Sequence, residues 1–132
     1  MRAAILISVA IRCLIVDDNA GFLKAASDLL QRQGMSVVGV ASNISDALAK
    51  ASELKPDVYL VDIDLGEESG LDLAYRLTTN PNIEASQVIL ISAYSEMDYA
   101  DLIAASPAIG FLSKSELSSR SVQEALAGNR RL

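Results

Sequence analysis

Read for polarity alone, the chain alternates short apolar runs with longer stretches in which apolar residues recur every three or four positions. Runs at Ile11–Val16, Ser36–Val40, Val58–Val61, Val88–Ile91 and Ile109–Leu112 have strand length. The third, bounded by Pro56 and Gly66, reads as a strand buried on both faces. Helical spacing at Phe22, Ala26, Leu29 and Leu30 predicts a first helix over Ala20–Gln33, with Asn19 as its N-cap and Gly34 as its stop. Ile44, Ala47, Leu48, Ala51 and Leu54 predict a second, behind the cap candidates Ser42 and Asn43 and ended by Pro56. A third spans Gly70–Thr79 with Leu71, Ala74 and Tyr75 on one face, before Pro81. A weaker helix is predicted over Ser95–Ala105, with Met97, Ala100 and Ala104 on one side, and a last one over Glu116–Ala127, stopped by Gly128.

Strands alternating with helices through short connections predict an α/β domain with a doubly wound, five-stranded parallel sheet and helices on both faces. Four strands deliver polar residues at their carboxyl ends: Asp17 and Asp18, Asp62, Ser92 and Lys114. The second delivers only Ala41, which marks it as an edge. That agrees with the flavodoxin-like order 2-1-3-4-5, in which the first and third strands meet at the switch-point crevice where ligands bind.

Composition narrows the chemistry. At 132 residues the chain suits one domain, and 51% hydrophobic residues with only 5% aromatics and no Trp predict a core of Ala, Leu, Ile and Val. A net charge of −6, with adjacent cations only at Arg130 and Arg131, argues against nucleic-acid binding by this segment. The absence of His removes Ser-His-Asp and Cys-His catalysis and most transition-metal sites, so any metal should be a hard, oxygen-bound ion. Cys13, alone in an apolar run, reads as a core residue and permits no intrachain disulfide, which fits a reducing cytoplasm. The apolar stretch Ala3–Ile11 is shorter than the ~20 residues of a membrane helix, and its one-residue charged lead and the strand that follows at once argue against a signal peptide. Residues 1–10 therefore read as an extension of unassigned role, 11–128 as the domain and 129–132 as a tail.

Asp17, Asp18 and Asp62 in one crevice repel each other unless a cation joins them. Carboxylates with few other ligands describe a Mg²⁺ site, and Mg²⁺ so held usually works on phosphates. A carboxylate screened in this way can attack phosphorus and become an acyl phosphate, the role assigned to Asp62. Lys114 would neutralise one phosphoryl oxygen and Ser92 would donate a hydrogen bond to another. Taken singly, these residues read as strand-end caps, a solvated charge and a turn former. Their convergence from four strand ends points to phosphoryl transfer.

Over about Arg12 to Ala127 the chain resembles the receiver domain of two-component response regulators. The likeness rests on Leu14-Ile15-Val16-Asp17-Asp18, on Pro56-Asp57-Val58 leading to Asp62, on Gly70 eight positions later, on Ser92-Ala93 after a β-run, and on Phe111-Leu112-Ser113-Lys114. The resemblance implies that Asp62 accepts phosphate from a sensor histidine kinase or phosphotransfer protein. It further implies that Asp18, Asp62 and the Asp64 backbone carbonyl bind Mg²⁺ directly, with Asp17 acting mostly through water, and that Lys114 and Ser92 hold the phosphoryl group. Phe111 would report a movement of Ser92 by its rotamer, and Tyr94 would flank the path of water to phosphorus. Gly66 departs from the family's common Pro and predicts a looser loop. Ser115 replaces the usual Pro after Lys114, which leaves Lys114 the least secure of these positions.

Asp62-Ile63-Asp64 also resembles the D-x-D of haloacid-dehalogenase-type phosphatases, which would make the chain an enzyme with Asp62 as nucleophile and Asp64 as acid/base. That family carries a further acidic pair late in the chain, whereas here no acid follows Glu124. A binding module that no longer uses phosphate ranks last, because every reactive position is filled. A receiver signals to a downstream partner or an output domain of its own, and a homodimer through the last helix-strand-helix face is a further partner the resemblance allows. Val38-Gly39-Val40-Ala41-Ser42 and Asp46-Ala47-Leu48 faintly resemble receivers attached to helix-turn-helix transcription factors.

Overall fold

A computed structural model describes residues 10–83 and 87–128. The expected extension over 1–10, apart from Ala10, and the tail over 129–132 lie outside the described residues. Five parallel strands, β1 (Arg12–Val16), β2 (Ser36–Ala41), β3 (Val58–Asp62), β4 (Gln87–Ser92) and β5 (Gly110–Ser113), form one sheet in the order β2-β1-β3-β4-β5. This is the predicted arrangement, with β2 at an edge. Side chains alternate across the sheet as the period-2 pleat requires, and so build two separate cores. Leu14, Val16, Tyr59, Val61, Val88 and Leu90 face one way, and Cys13, Ile15, Val58, Leu60, Ile89 and Ile91 the other.

The first face is covered by α2 (Ile44–Leu54) and α3 (Gly70–Thr79), the second by α1 (Ala20–Arg32) and α5 (Ser119–Gly128). Asn19 and Asn43 cap α1 and α2 as predicted, their side chains accepting from the Phe22 and Asp46 backbone N–H groups at 3.0 and 2.8 Å. Gly34 follows α1 at φ +96°, in the left-handed conformation expected of a stop. Before Pro56 can end α2, Lys55 has already left it at φ 48°, and the Arg12 guanidinium donates to the Leu54 and Lys55 carbonyls at 2.7 Å each. A cation on those last carbonyls also complements the helix dipole.

Three predicted segments differ. On α3 the buried face is Leu73, Ala74 and Leu77, while Tyr75 is 61% exposed. The segment after Tyr94 is a 3₁₀ turn, Glu96–Tyr99, followed by a single α-helical turn, α4 (Ala100–Ala104). Three residues per turn shift the phase that a 3.6-residue period assumes, so Tyr99 and Ile103 pack inward and Met97, Ala100 and Ala104 face solvent. The last helix begins three residues later than expected. Lys114–Glu116 form a 3₁₀ turn, Leu117 is buried, and Ser118 and Ser121 exchange hydrogen bonds, each Oγ accepting the other's N–H at 3.0 and 2.9 Å.

A Cβ at Gly70 would stand 1.9 Å from the Asp62 carbonyl oxygen, so α3 starts against the backbone of the reactive strand end. At Gly34 a Cβ would meet nothing within 4 Å, and only its φ is restrictive. Gly70→Ala should therefore lower unfolding free energy by about 3 kcal/mol, the upper range for overpacking, and Gly34→Ala by about 1 kcal/mol. Urea denaturation of both variants checks the order, and equal losses would contradict the close approach at Gly70.

Candidate functional site

The register of β1 against β3 places Val16 opposite Val61. One residue further, Asp17 and Asp62 leave the sheet side by side. Single carboxylate oxygens of Asp17, Asp18 and Asp62 lie within 4.8 Å of one another. Asp17 is fully buried, Asp62 nearly so, and Asp18 exposed. From the end of β5, Lys114 reaches into this group, its Nζ 2.6 Å from Asp17 Oδ2 and 2.8 Å from Asp62 Oδ2. The contact with Asp17 is a buried ion pair.

Local turns hold the other oxygens. Asp17 Oδ1 accepts the Asn19 N–H at 2.8 Å and Asp62 Oδ1 the Asp64 N–H at 3.0 Å, each carboxylate bonded two residues ahead in an Asx turn. Ser92 ends β4 buried, with its Oγ accepting the Tyr94 N–H at 3.0 Å. These groups line a crevice of about 180 Å³ with Asn19, Asp64, Ala93 and Tyr94 at its walls.

Burial pushes the Asp62 carboxyl up from its ordinary range and the Asp17 charge adds to this, against the Lys114 and Asp64 N–H hydrogen bonds that pull it down. For Lys114 burial acts downward, but Asp17 and Asp62 together outweigh it, and the ammonium titrates above an ordinary lysine. Lys114 is thus a fixed cation at neutral pH. Burial alone pushes the Cys13 thiol up to about 12, which makes it the inert core residue its sequence context predicts.

Three carboxylates against one ammonium leave the crevice negative. The free oxygens are hard donors, and a side chain at Gly66 would crowd Asp18, a Cβ there lying 3.1 Å from Asp18 Oδ2. Such a donor set fits a hard divalent cation.

The family model described as response regulator receiver domain matches residues 13–126. The chain belongs to that family. Chemotaxis protein CheY of Thermotoga maritima is 35% identical over 86 residues, covering 64% of this chain and 69% of CheY. A LuxR-family two-component response regulator from Aurantimonas sp. SI85-9A1 superposes with a TM-score of 0.79 at 23% identity, over 93% of this chain and 89% of that one. A response regulator from Burkholderia pseudomallei, solved with a phosphorylated aspartic acid, a calcium ion and citrate, gives 0.73 at 28% identity, over 87% and 65%. The chain spans about half or less of the length of several other curated relatives, methylesterases and transcriptional regulators among them. The phosphatase reading finds no support in these relationships. The Asp64 carboxylate is engaged in its own turn, with Oδ1 accepting the Gly66 N–H at 3.1 Å.

The receiver fold brings together Asp17, Asp18, Asp62, Ser92 and Lys114, the residues singled out from strand ends. Lys114 takes its place without a proline after it, and no peptide bond among the described residues is cis. Tyr94 stands at the rim, 61% exposed, with its ring centroid 6.5 Å from that of Tyr99. Phe111 lies outside the crevice, half-buried against the α2/α3 core, and lines a neighbouring groove of about 400 Å³ with Tyr94, Ser95, Ser113 and Glu116. Gly66 does not loosen its loop. At φ +77° it adopts a conformation closed to proline and turns a tight antiparallel pairing of Asp64–Leu65 with Glu68–Ser69. Two contributors were not legible as such. Glu68 Oε1 accepts the Ile44 N–H at 2.8 Å and ties this loop to the start of α2, and the Phe22 ring centroid lies 4.3 Å from Lys114 Nζ. Nothing in the sequence signals Glu68, whereas the helical spacing of Phe22, one turn after Asp18, marks it as core.

Lys114→Met removes the one cation from the acid group at similar side-chain length. In EDTA it should lower stability by about 2–3 kcal/mol, short of the full effect of orphaning a buried charge because Lys114 retains some exposure. Excess Mg²⁺ should return most of that loss. Urea denaturation under both conditions measures it, and a variant as stable as the parent in EDTA would show that the carboxylates do not depend on Lys114.

Proposed function

We propose that this receiver domain takes a phosphoryl group onto Asp62 from a phosphohistidine on a sensor kinase or phosphotransfer protein, and so switches a protein-interaction surface. The observation that carries this reading is the meeting of Asp17, Asp18 and Asp62 within 4.8 Å, with Lys114 2.8 Å from Asp62. The phosphorylated aspartic acid of the Burkholderia pseudomallei regulator supports it.

An Asp62 carboxylate oxygen forms the new O–P bond as the P–N bond breaks. The electron pair of that bond stays on the histidine ring, which then takes a proton from solvent. Asp64 N–H, bound to Oδ1, holds the carboxylate in one rotamer through the displacement. Lys114 neutralises one phosphoryl oxygen and the Ser92 hydroxyl, whose Oγ accepts the Tyr94 N–H, donates to another. Asp18, Asp62 and the Asp64 carbonyl, with Asp17 through water, would hold Mg²⁺, which would supply the charge that screens the acid group from the incoming dianion. Asp62 is the only group that turns over, so the domain transfers and loses its own phosphate but is not an enzyme for other substrates.

Movement of Ser92 toward phosphate frees space beside the groove that Phe111 lines. Phe111 has no hydroxyl and responds through packing, which alters the face of α4, β5 and α5. That face contacts a downstream protein, an output domain or a second copy of the chain. Transcriptional regulators among the relatives favour an output on DNA carried by another domain. No helix among the described residues is long and apolar enough to cross a membrane; action in the cytoplasm is proposed from the receiver family to which the chain belongs.

With a small-molecule phosphodonor, intact-mass analysis should show one added phosphate that requires Mg²⁺ and is absent from Asp62→Asn. A variant gaining phosphate at the parental rate would refute the assignment.

The exposed ring of Tyr94 lines the rim of the Asp62 crevice, and we assign it to the path of water approaching phosphorus in line with the Asp62 acyl-phosphate bond, where it offers no amide or carboxylate to orient that water. Tyr94→Ala should speed autodephosphorylation several-fold, the effect of about 1 kcal/mol of barrier. Radiolabel decay in excess Mg²⁺ decides this, and unchanged or slower loss would mean the ring does not guard the phosphate.

A further inference from the structure

We infer that Phe22 is a positioning residue for Lys114, holding the ammonium over its ring face so that it points at the phosphoryl site. The inference rests on the phosphoacceptor reading above. Lys114 is the component with the weakest local support. It opens a 3₁₀ turn of only three residues, followed by Ser115 rather than a ring-locked residue, and Ser115 and Ser113 share a hydroxyl contact at 3.0 Å instead of bonding the lysine. In front of it stand the two carboxylates at 2.6 and 2.8 Å. On another side the Phe22 ring centroid lies 4.3 Å from Nζ, well inside the ~6 Å reach of a cation–π contact.

Phe22 itself is well placed to stay still. It lies in the first turn of α1, its backbone N–H is bound by the Asn19 cap at 3.0 Å, and its ring packs half-buried against the α1/α5 core. The carboxylates cannot serve as the permanent support, because both change partners during the reaction. Asp62 becomes an acyl phosphate and loses its carboxylate charge, and Asp17 would be drawn to a bound cation. The ring keeps its negative face throughout. A lysine losing its anionic partners would otherwise gain rotamers just as it must meet the phosphoryl oxygens, and Lys side chains have the most rotamer freedom to gain.

Three chains test this: the parent, Phe22→Leu, which keeps apolar bulk and loses the π face, and Phe22→Tyr, which keeps it. The phosphorylation rate constant at saturating small-molecule phosphodonor and Mg²⁺ should fall about three- to tenfold in Phe22→Leu, the range that roughly 0.7–1.4 kcal/mol of cation–π attraction converts to. Half-saturation by phosphodonor should not change, and Phe22→Tyr should retain the parental rate. In the unphosphorylated parent, NMR of the lysine Cε–Hε groups should place Lys114 upfield of exposed Lys24 through the ring current, with the displacement lost in Phe22→Leu and kept in Phe22→Tyr. A parental rate in Phe22→Leu, equal losses in both variants, or a Lys114 resonance indifferent to the ring would overturn the inference. Failure of the parent itself to take up phosphate would instead overturn the phosphoacceptor reading.

Discussion

Like charge is the constraint that the rest of this molecule answers. Two carboxylates about 4 Å apart repel by roughly 4 kcal/mol at the effective dielectric of a protein surface, against a total stability of about 5–15 kcal/mol for a domain of this kind. Asp17, Asp18 and Asp62 make three such pairs at the end of two neighbouring strands. Lys114 offsets part of this from inside the chain, and the remainder is a standing attraction for an external cation. The same imbalance explains the chemistry, since a site that is stable only when its charges are matched responds to any change in them. Converting Asp62 to an acyl phosphate would alter the charge at the centre of the group, and the neighbours would have to rearrange.

The fold confines that rearrangement to one side. Asp17 and Asp62 continue from strands whose side chains fill both cores, so their backbones are as fixed as the sheet itself. Gly70 locks the start of α3 against the Asp62 carbonyl. Lys114 and Ser92, by contrast, lead into 3₁₀ turns, and beyond Ser92, among the described residues, the hydrophobic side chains that pack the turn and α4 against the core are the partly buried Tyr99 and Ile103. Segments with so few buried contacts open at low cost. The reactive carboxylates are therefore rigid, while the groups that sense the phosphate sit at the start of the segments best able to move.

A second connection runs from the same site to the opposite edge. Glu68, in the tight turn that Gly66 permits, accepts the first N–H of α2, and Lys50 on that helix donates to the Val40 carbonyl of the edge strand. A lysine on an exposed strand edge also discourages pairing with a second chain. The loop after Asp62 is thus braced against α2 rather than free, contrary to what glycine in place of proline suggests on its own.

The strand order, the two-faced core and the polar strand-end residues that the fold gathers in one crevice were legible in the sequence, because each follows from local periods and from what stands at a strand's end. Apolar runs of strand length, Asn caps and a polar residue after four of five strands are properties of neighbouring positions. What stayed illegible needed the third dimension. Met97 and Tyr75 have the apolar surface of core residues, and only the 3₁₀ phase and the packing angle of α3 turn them to solvent. The last helix starts at Ser119 because Gln33, 86 residues earlier, accepts its N–H and Ser118 and Ser121 bond each other. Phe22 meets Lys114 only because α1 and the end of β5 lie on the same side of the sheet. The chain by itself determined which residues carry charge and at which strand ends, whereas the tertiary structure decided which charges touch, since distances of 2.6–2.8 Å are set by strand register and turn geometry, which no local pattern encodes.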